Sequence, residues 1–408
     1  MSYIARGLRS PMTRIQSAAK LPGSLLRVVH YQERAGALTE NWVHNQITGI
    51  DSHVVGLYAH VRKDDNATSF PNLRCVEADL HGVSRLADRI GCRFVHRSPH
   101  LLLWLRRDRA NIVHAHFGPA GNDMWPFTRL LGIPLVTSFY GCDAYQLPYR
   151  TSCPTGYYRR LFRFGHRFLV EGSAMRRKLI ELGCPADKVV IHHIGINVAQ
   201  TIFRPRRPEG SIRLLVCGRF IEKKGIPFAL EAVQRVRQAT GRDVRLTVVG
   251  DSDGQGSMTP EKGKILAAVR QHNLDGIVSF VGFVSRHQLP ETLHNHHILV
   301  VPSIHAADGD AEGGFPVIIT EALASGMPVV AFDHCDIREI VKDGECGFLA
   351  PEGEVAALAR CLGRMVEHPE IWPELGRAGR AHVEANYDIA KLNDRLVDLY
   401  RGLLKNDG

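Results

Sequence analysis

The sequence predicts an α/β protein made of two doubly wound parallel sheets in separate domains, and three observations lead there. The chain has 408 residues, more than one ordinary domain holds. Short apolar, β-branched runs alternate with helical patterns along most of its length, as expected of parallel strands covered on both faces. The alternation restarts after residues 203–210 (FRPRRPEG), whose Pro- and Arg-rich composition is that of a linker. The expected divisions are an arm over 1–24, a first domain over 25–205, a second over 206–385, and a C-terminal helix over 386–408 packing back on the first domain.

Taken in order, LLRVVHY at 25–31 reads as the first strand. A loop with Gly36 follows over 32–39, then a helix over 40–47 and a second strand over 52–58. Residues 81–109 are mostly helical in pattern. ANIVHAH at 110–116 is a strand ending in His114 and His116, before a turn that contains Gly118 and Gly121. Residues 133–139 form a strand that leads into Tyr140, Gly141, Cys142 and Asp143, and strands at 168–171 and 188–193 complete this half. In the second half, strands are expected at 212–217, 246–250, 278–282, 298–301 and 329–332, with helices between. The last helix, 389–404, places Leu392, Leu396, Leu399 and Leu403 on one apolar face.

Residues 312–326 (EGGFPVIITEALASG) lie between two of these strands. Pro316 is placed to start a short helix over 317–325, and Gly326 to end it. Such a turn leaves N–H groups free at a helix start, where an anion is favoured. Gly313 and Gly314 let the main chain come close to a ligand, and Glu312 and Glu321 bracket the turn with carboxylates suited to hydroxyl groups. Phosphate on amides and hydroxyls on carboxylates fit a sugar nucleotide; the alternative reading of the same residues is a βαβ unit with a polar loop. A second constellation opens the half: Cys217, Gly218, Arg219, then Lys223 and Lys224 before a helix. Cations at the carboxyl end of a strand suit a diphosphate.

Composition bounds the function. Hydrophobic content of 44% and aromatic content of 7% are those of a soluble globular protein. The nine cysteines are odd in number and form no C-x-x-C pair, which favours a reducing cytosol over a disulfide framework or structural zinc. No apolar run reaches the ~20 residues of a membrane span, and residues 1–20 lack the apolar core of a secretory signal. The net charge of +9 suits nucleic acid, an anionic membrane surface or phosphorylated substrates. Part of it is clustered: Arg106, Arg107 and Arg109 follow LLLWL at 101–105, and Arg159, Arg160, Arg163 and Arg167 interleave with Leu161, Phe162, Phe164 and Phe168. These stretches read either as a membrane interface or as the solvated face of a core helix. No Walker-type loop or G-x-G-x-x-G precedes a suitable helix, so ATPase and NAD readings lack support.

The second half resembles the nucleotide-binding domain of glycosyltransferase family 4, a retaining family with the GT-B architecture of two Rossmann-like domains facing a cleft. The matching segments are GRFIEKKG, VVGDSDG, VGFVSRHQLPETL, VPS, EGGFPVIITEALASGMPVVA and DGECGFLAPEG, in the family's order and spacing. In the first half VHAHFGPAG and PLVTSFYGCDA are similar to members that build bacterial exopolysaccharides. The resemblance spans roughly residues 25–400 and implies a donor site, residue by residue. Gly218, Arg219 and Lys224 would hold the donor diphosphate, and Glu321 the ribose hydroxyls. Glu312 and the loop of Gly313, Gly314, Phe315, Pro316 and Val317 would face the donor sugar and its phosphate, with Gly282 and Phe283 bordering the base.

There are two departures from the family pattern. Eight residues separate Glu312 from Glu321 where the family has seven, so the extra glycine implies a bulge. Tyr140 stands where many members carry a histidine, so Tyr140 or His116 would take over its work at the donor sugar. Asp308 and Asp310 resemble a metal-binding pair of another glycosyltransferase class, but with Arg219 and Lys224 at the diphosphate neither a metal nor a cofactor is expected. The implied activity is transfer of a sugar, with retention, from a nucleotide sugar such as UDP- or GDP-sugar. The acceptor would be a glycan or lipid-linked chain of exopolysaccharide biosynthesis, met in the cytoplasm with possible peripheral contact to an anionic membrane and no nucleic-acid partner. The alternatives are a non-catalytic sugar-nucleotide-binding subunit and a GT-B-type epimerase, for which Glu40 and Asp143 are the acid/base candidates.

Overall fold

The structure is a computed structural model that describes residues 25–35, 41–50, 53–62, 72–82, 84–86, 88, 98–252 and 258–406. The expected arm over 1–24, Glu40, and most of the helical pattern between 81 and 98 lie outside the described residues. Two all-parallel sheets organise the chain. The first contains β1 (Val28–Ala35), β2 (Val54–Arg62), β3 (Leu73–Cys75), β4 (Ile112–His116), β5 (Leu135–Ser138), β6 (Arg167–Val170) and β7 (Val189–Ile191), in the spatial order β3-β2-β1-β4-β5-β6-β7. The second contains β8 (Ile212–Cys217), β9 (Val244–Val249), β10 (Val278–Phe280), β11 (Ile298–Val301), β12 (Val329–Asp333) and β13 (Gly347–Pro351), in the order β10-β9-β8-β11-β12-β13.

The central strands are apolar throughout because helices cover both faces: every residue of β4, β5 and β11 is buried. In the second domain, Leu214, Val216 and Val300 face helices Ile226–Thr240 and Val355–Glu367 through Leu230, Val233, Leu358 and Leu362. The opposite face packs Leu215, Leu299 and Val329 on helix Ile318–Ala324. The C-terminal helix, Ile389–Asn406, covers the first sheet, not the second. Its Leu396, Val397, Tyr400 and Leu403 pack against Val28, Ile112, Val136 and Leu169.

In both sheets the strand order reverses once, between β1 and β4 and between β8 and β11. Such a reversal sends the loops after the two neighbouring strands apart and leaves a crevice at their carboxyl ends, where ligands of doubly wound sheets bind.

The membrane-facing reading of the first domain is corrected in part. In helix Arg159–Phe164, Leu161 and Phe162 are core residues, as are Tyr158 before it and Phe168 after it. Phe164 stacks on Trp125 with ring centroids 5.0 Å apart, and the Arg129 guanidinium lies 4.1 Å from its centroid. Tyr158, Phe162 and Phe168 thus fill the interior, Phe164 is half-buried, and Arg159, Arg160 and Arg163 are exposed. The helix Pro99–Arg107 likewise buries Leu101 and Leu105 and leaves Leu103 exposed.

Candidate active site

Chemistry gathers at both reversal points. From β8 the chain passes Gly218 and the half-buried Arg219 into a tight turn, Glu222–Lys224, ahead of helix Ile226–Thr240. The Lys224 stem lies across Gly218, where a Cβ would stand 3.2 Å from Lys224 Cδ. From β11 the chain passes Ser303 and reaches the glycine loop at 312–315. Lys224 Nζ donates to both oxygens of Glu312, at 2.8 and 3.0 Å, and Ser303 Oγ donates to one of them at 2.8 Å. Burial pushes the Glu312 carboxyl up, but Lys224 and Lys223 outweigh it and hold it at about 2.

Lys223 turns elsewhere, donating to Asp310 Oδ1 at 3.1 Å and to the Ala311 carbonyl at 3.0 Å. Asp308 accepts from Gln146 Nε2 of the first domain at 2.5 Å. The two aspartates are therefore engaged by the protein's own lysine and amide groups.

Behind the loop, His334 Nε2 accepts the Glu312 N–H at 3.2 Å and His334 Nδ1 meets Glu352 Oε2 at 2.9 Å. Glu352 also takes the His305 N–H at 2.6 Å and its Nδ1 at 2.9 Å. Ligand atoms of His305, His334 and Cys335 lie within 4.8 Å of one another. Both His334 nitrogens are held by hydrogen bonds, however, so the group is a relay that anchors the backbone at Glu312. Nothing in the local sequence pattern signals this relay.

Pro316 and Val317 lead into the helix, which starts at Ile318, one residue later than expected. Glu321 stands in its first turn, and among the described residues its carboxylate accepts no hydrogen bond. Burial pushes this carboxyl up to about 7, with Arg286 acting in the opposite sense. At the ends of β9 and β10, the Gly250 N–H donates to the Gly282 carbonyl at 2.7 Å, and the half-buried Phe283 follows.

At the reversal of the first sheet, His30 on β1 and His114 and His116 on β4 are fully buried. His116 Nδ1 meets the Tyr140 hydroxyl at 2.7 Å, and its Nε2 meets His30 Nδ1 at 2.9 Å. His114 joins the Tyr400 hydroxyl at 2.6 Å and Ser138 Oγ at 2.8 Å. Burial lowers the pKa of all three well below the ordinary histidine value, so they are neutral. Their ligand atoms also fall within 4.8 Å of one another. Every ring nitrogen but His30 Nε2 has a hydrogen-bond partner, which makes the group a chain of hydrogen bonds and not a metal centre. Of the two residues expected at the donor sugar, His116 lies fully buried behind Tyr140, with both ring nitrogens hydrogen-bonded.

Asp143 accepts from the N–H groups of Gly118, Tyr140 and Gly141 at 2.9, 3.1 and 2.9 Å. It is fully buried and ties the turn after β5 through these three bonds.

The two domains touch at the glycine loop. Gly313 adopts a left-handed φ of 82°, consistent with the expected bulge, and a Cβ there would stand 2.3 Å from Met175 Cε and 2.5 Å from Gly141 Cα. Glu171, just after β6, accepts the Phe315 N–H at 3.3 Å. In the opposite direction, Asp336 accepts from the N–H groups of Ala174 and Met175 at 2.6 and 3.3 Å, and Glu339 from Ser173 at 2.8 Å. Sequence reasoning reached the strand that carries Glu171 but not the residue. Its position at the carboxyl end of a parallel strand was the available signal.

Comparison with known proteins gives this geometry a family. Residues 198–382 match the model of the glycosyl transferases group 1, and residues 48–200 that of Glycosyltransferase Family 4. WcaL of Escherichia coli (strain K12), a glycosyltransferase attributed to colanic acid biosynthesis, is 30% identical over 301 residues, covering 72% of this chain and 71% of WcaL. The amylovoran biosynthesis glycosyltransferase AmsK of Erwinia amylovora is 32% identical over 299 residues, 71% of each chain. Among solved structures, sucrose-phosphate synthase from Thermosynechococcus elongatus superposes with a TM-score of 0.74 at 19% identity, covering 93% of this chain and 99% of that one. Anabaena HepE in complex with UDP-glucose gives 0.73 at 15% identity, covering 92% and 99%. These neighbours carry the GT-B fold. The two family models cover β2–β7 and β8–β13, and the relatives extend over more than two thirds of both chains: the chain belongs to the glycosyl transferases of group 1, with a family 4 domain in its first half.

Proposed function

We propose that this glycosyltransferase moves a sugar, with retention at the anomeric carbon, from a nucleoside-diphosphate sugar to a glycan or lipid-linked acceptor in exopolysaccharide assembly. The observation that carries the donor site is the convergence of Arg219 and Lys224 after β8 with the glycine loop after β11. An ammonium has three donors. Lys224 gives two to Glu312 and keeps one for a diphosphate, so Glu312 serves to hold Lys224 in place. As the glycosidic bond breaks, the leaving diphosphate gains negative charge, which Arg219, Lys224 and the loop amides stabilise. The same diphosphate oxygen accepts the proton of the acceptor hydroxyl, so no protein base is required. Glu321, whose carboxylate has no hydrogen-bond partner among the described residues, takes the ribose hydroxyls. Tyr140, held by His116, donates one hydrogen bond to the donor sugar but brings no positive charge.

The solved neighbour bound to UDP-glucose and the relatives named for colanic acid and amylovoran biosynthesis support this reading. Among the described residues no helix is long and apolar enough to cross a membrane. For a lipid-linked acceptor, the surface that meets an anionic membrane in this reading is that of the exposed arginines Arg159, Arg160 and Arg163. The test is a thermal-shift screen against UDP, GDP and ADP. A ligand at a hundredfold excess over its dissociation constant adds about 2.7 kcal/mol. Product NMR with the sugar nucleotide so identified reads the anomeric configuration. Binding of none of the three, or an inverted product, overturns the proposal.

A further inference from the structure

Glu171 is a buried carboxyl group that the mechanism above does not use, and it stands where the donor phosphate is expected. It leaves the first domain just after β6 and reaches the glycine loop of the second. Its Oε2 accepts the N–H of Phe315, one of the amides assigned to the donor. The fit is close: a Cβ on Gly314 would stand 2.1 Å from Glu171 Oε2 and 2.5 Å from its Cβ. Only a glycine there lets the carboxyl approach the loop. On its other side Glu171 borders a cavity of about 20 Å³, shared with Tyr140, His192 and Asn393. That volume is of the size of one water molecule.

We propose that Glu171 is a donor-binding residue of the first domain, which releases the Phe315 amide to the nucleotide diphosphate and itself hydrogen-bonds a diphosphate oxygen. This rests on the donor site proposed above.

Chemistry decides the form in which a carboxyl group sits beside a phosphate. An ionised one repels it, whereas a neutral one has an O–H to donate. Burial pushes the Glu171 carboxyl well up. The Phe315 N–H opposes this, and Asp336, Glu312 and Asp143 add to it. Across the loop, Glu312 is held ionised by Lys224 and Lys223. Two carboxyl groups flank one loop with opposite tendencies, an acceptor for lysine on one side and a hydrogen-bond donor on the other. The main chain around Glu171 is anchored as well. Its carbonyl meets His193 Nδ1, and Asp336 and Glu339 hold the N–H groups of Ser173, Ala174 and Met175 just beyond. When donor binds, contact with Glu171 adds a group from the first domain to a site otherwise built by the second.

The test compares the full-length wild type with E171Q and E171L. Calorimetry would measure affinity for UDP and GDP, and for uridine and guanosine, which lack the diphosphate. E171L, with no hydrogen-bonding group, is expected to weaken the diphosphate roughly 10- to 100-fold and leave the matching nucleoside unchanged. E171Q, which keeps an N–H donor in the same shape, is expected to recover most of that loss. Thermal unfolding of each variant reports whether the domain contact survives. If E171L binds the diphosphate like wild type, or loses nucleoside and diphosphate alike, the inference fails while the donor site stands. A glutamine variant as weak as the leucine one overturns it too, because a carboxylate would then be the active form. A wild type that binds neither UDP nor GDP removes the donor site and this contact together.

Discussion

Replacing Lys224 by methionine separates the lysine's charge from its bulk and tests the ion pair on which the donor loop depends. Held at about 2 against an ordinary 4.5, the ionised Glu312 carboxylate is favoured by about 3 kcal/mol, at about 1.4 kcal/mol per pH unit. Both partners are largely buried, with 17% of the Lys224 side chain and 7% of the Glu312 side chain exposed. Breaking such a pair from one side costs about 3–5 kcal/mol. Lys223 and the Ser303 hydroxyl still attract the orphaned carboxylate, so we expect K224M to lose about 3 kcal/mol, at the low end of that range. Combining K224M with E312Q removes both charges together. The double variant should therefore be less destabilised than the sum of the singles, with a coupling of about 1–3 kcal/mol. Guanidinium unfolding of the four proteins at neutral pH measures the cycle. The acid arm has a defined sign. A carboxyl with a lowered folded pKa contributes stability above its unfolded value near 4.5, and that contribution is lost as pH falls towards about 2. E312Q should lack this part of the acid sensitivity. A K224M protein as stable as wild type, or an acid profile for E312Q that matches wild type, would refute the reasoning.

Three further expectations follow from the same site. R219A should lose about 2–4 kcal/mol of transition-state stabilisation, mostly in turnover, as measured by kcat and kcat/KM with the preferred donor; near-normal turnover would remove Arg219 from the diphosphate. With its carboxyl at about 7, Glu321 gains charge between mildly acid and mildly alkaline pH, so nucleotide affinity should rise over that interval. E321Q should flatten the rise and bind about 1.5–3 kcal/mol more weakly on the alkaline side, as read by calorimetry. Replacing Arg159, Arg160 and Arg163 by Glu should release the protein from anionic vesicles without unfolding it, because each basic residue near such a surface contributes about 1 kcal/mol. With Tyr158, Phe162 and Phe168 in the core, wild-type binding should also fall steeply with salt. Failure of the wild type to co-sediment at low salt would favour a soluble acceptor.

Much of the architecture is a local property and was legible in the sequence. The runs at 212–217 and 298–301 became β8 and β11 without change, since a strand buried on both faces shows itself as an uninterrupted apolar stretch. The glycine loop and its short helix were legible for the same reason, through Gly, Pro and the periodicity between them. Weak local signals were missed. β13 (Gly347–Pro351) carries both a glycine and a proline, and is a strand because five of its residues pair with β12. β3 has three residues and is set by its register on β2.

Side-chain partners were beyond reach of any local pattern. Lys224 and Glu312 were each singled out, but their pairing spans 88 positions and depends on β8 and β11 lying side by side. The sequence placed His116 and Tyr140 as alternatives at the sugar. Packing makes them a series, with the histidine buried behind the tyrosine. The basic-aromatic stretch around Arg163 is open to two readings, and the interior of the first domain claims Tyr158, Phe162 and Phe168. Glu171 lies 144 positions from the amide it meets. Its importance arises where two domains, each legible alone, come into contact, because hydrogen bonds and desolvation act over a few ångströms in space whatever the separation along the chain.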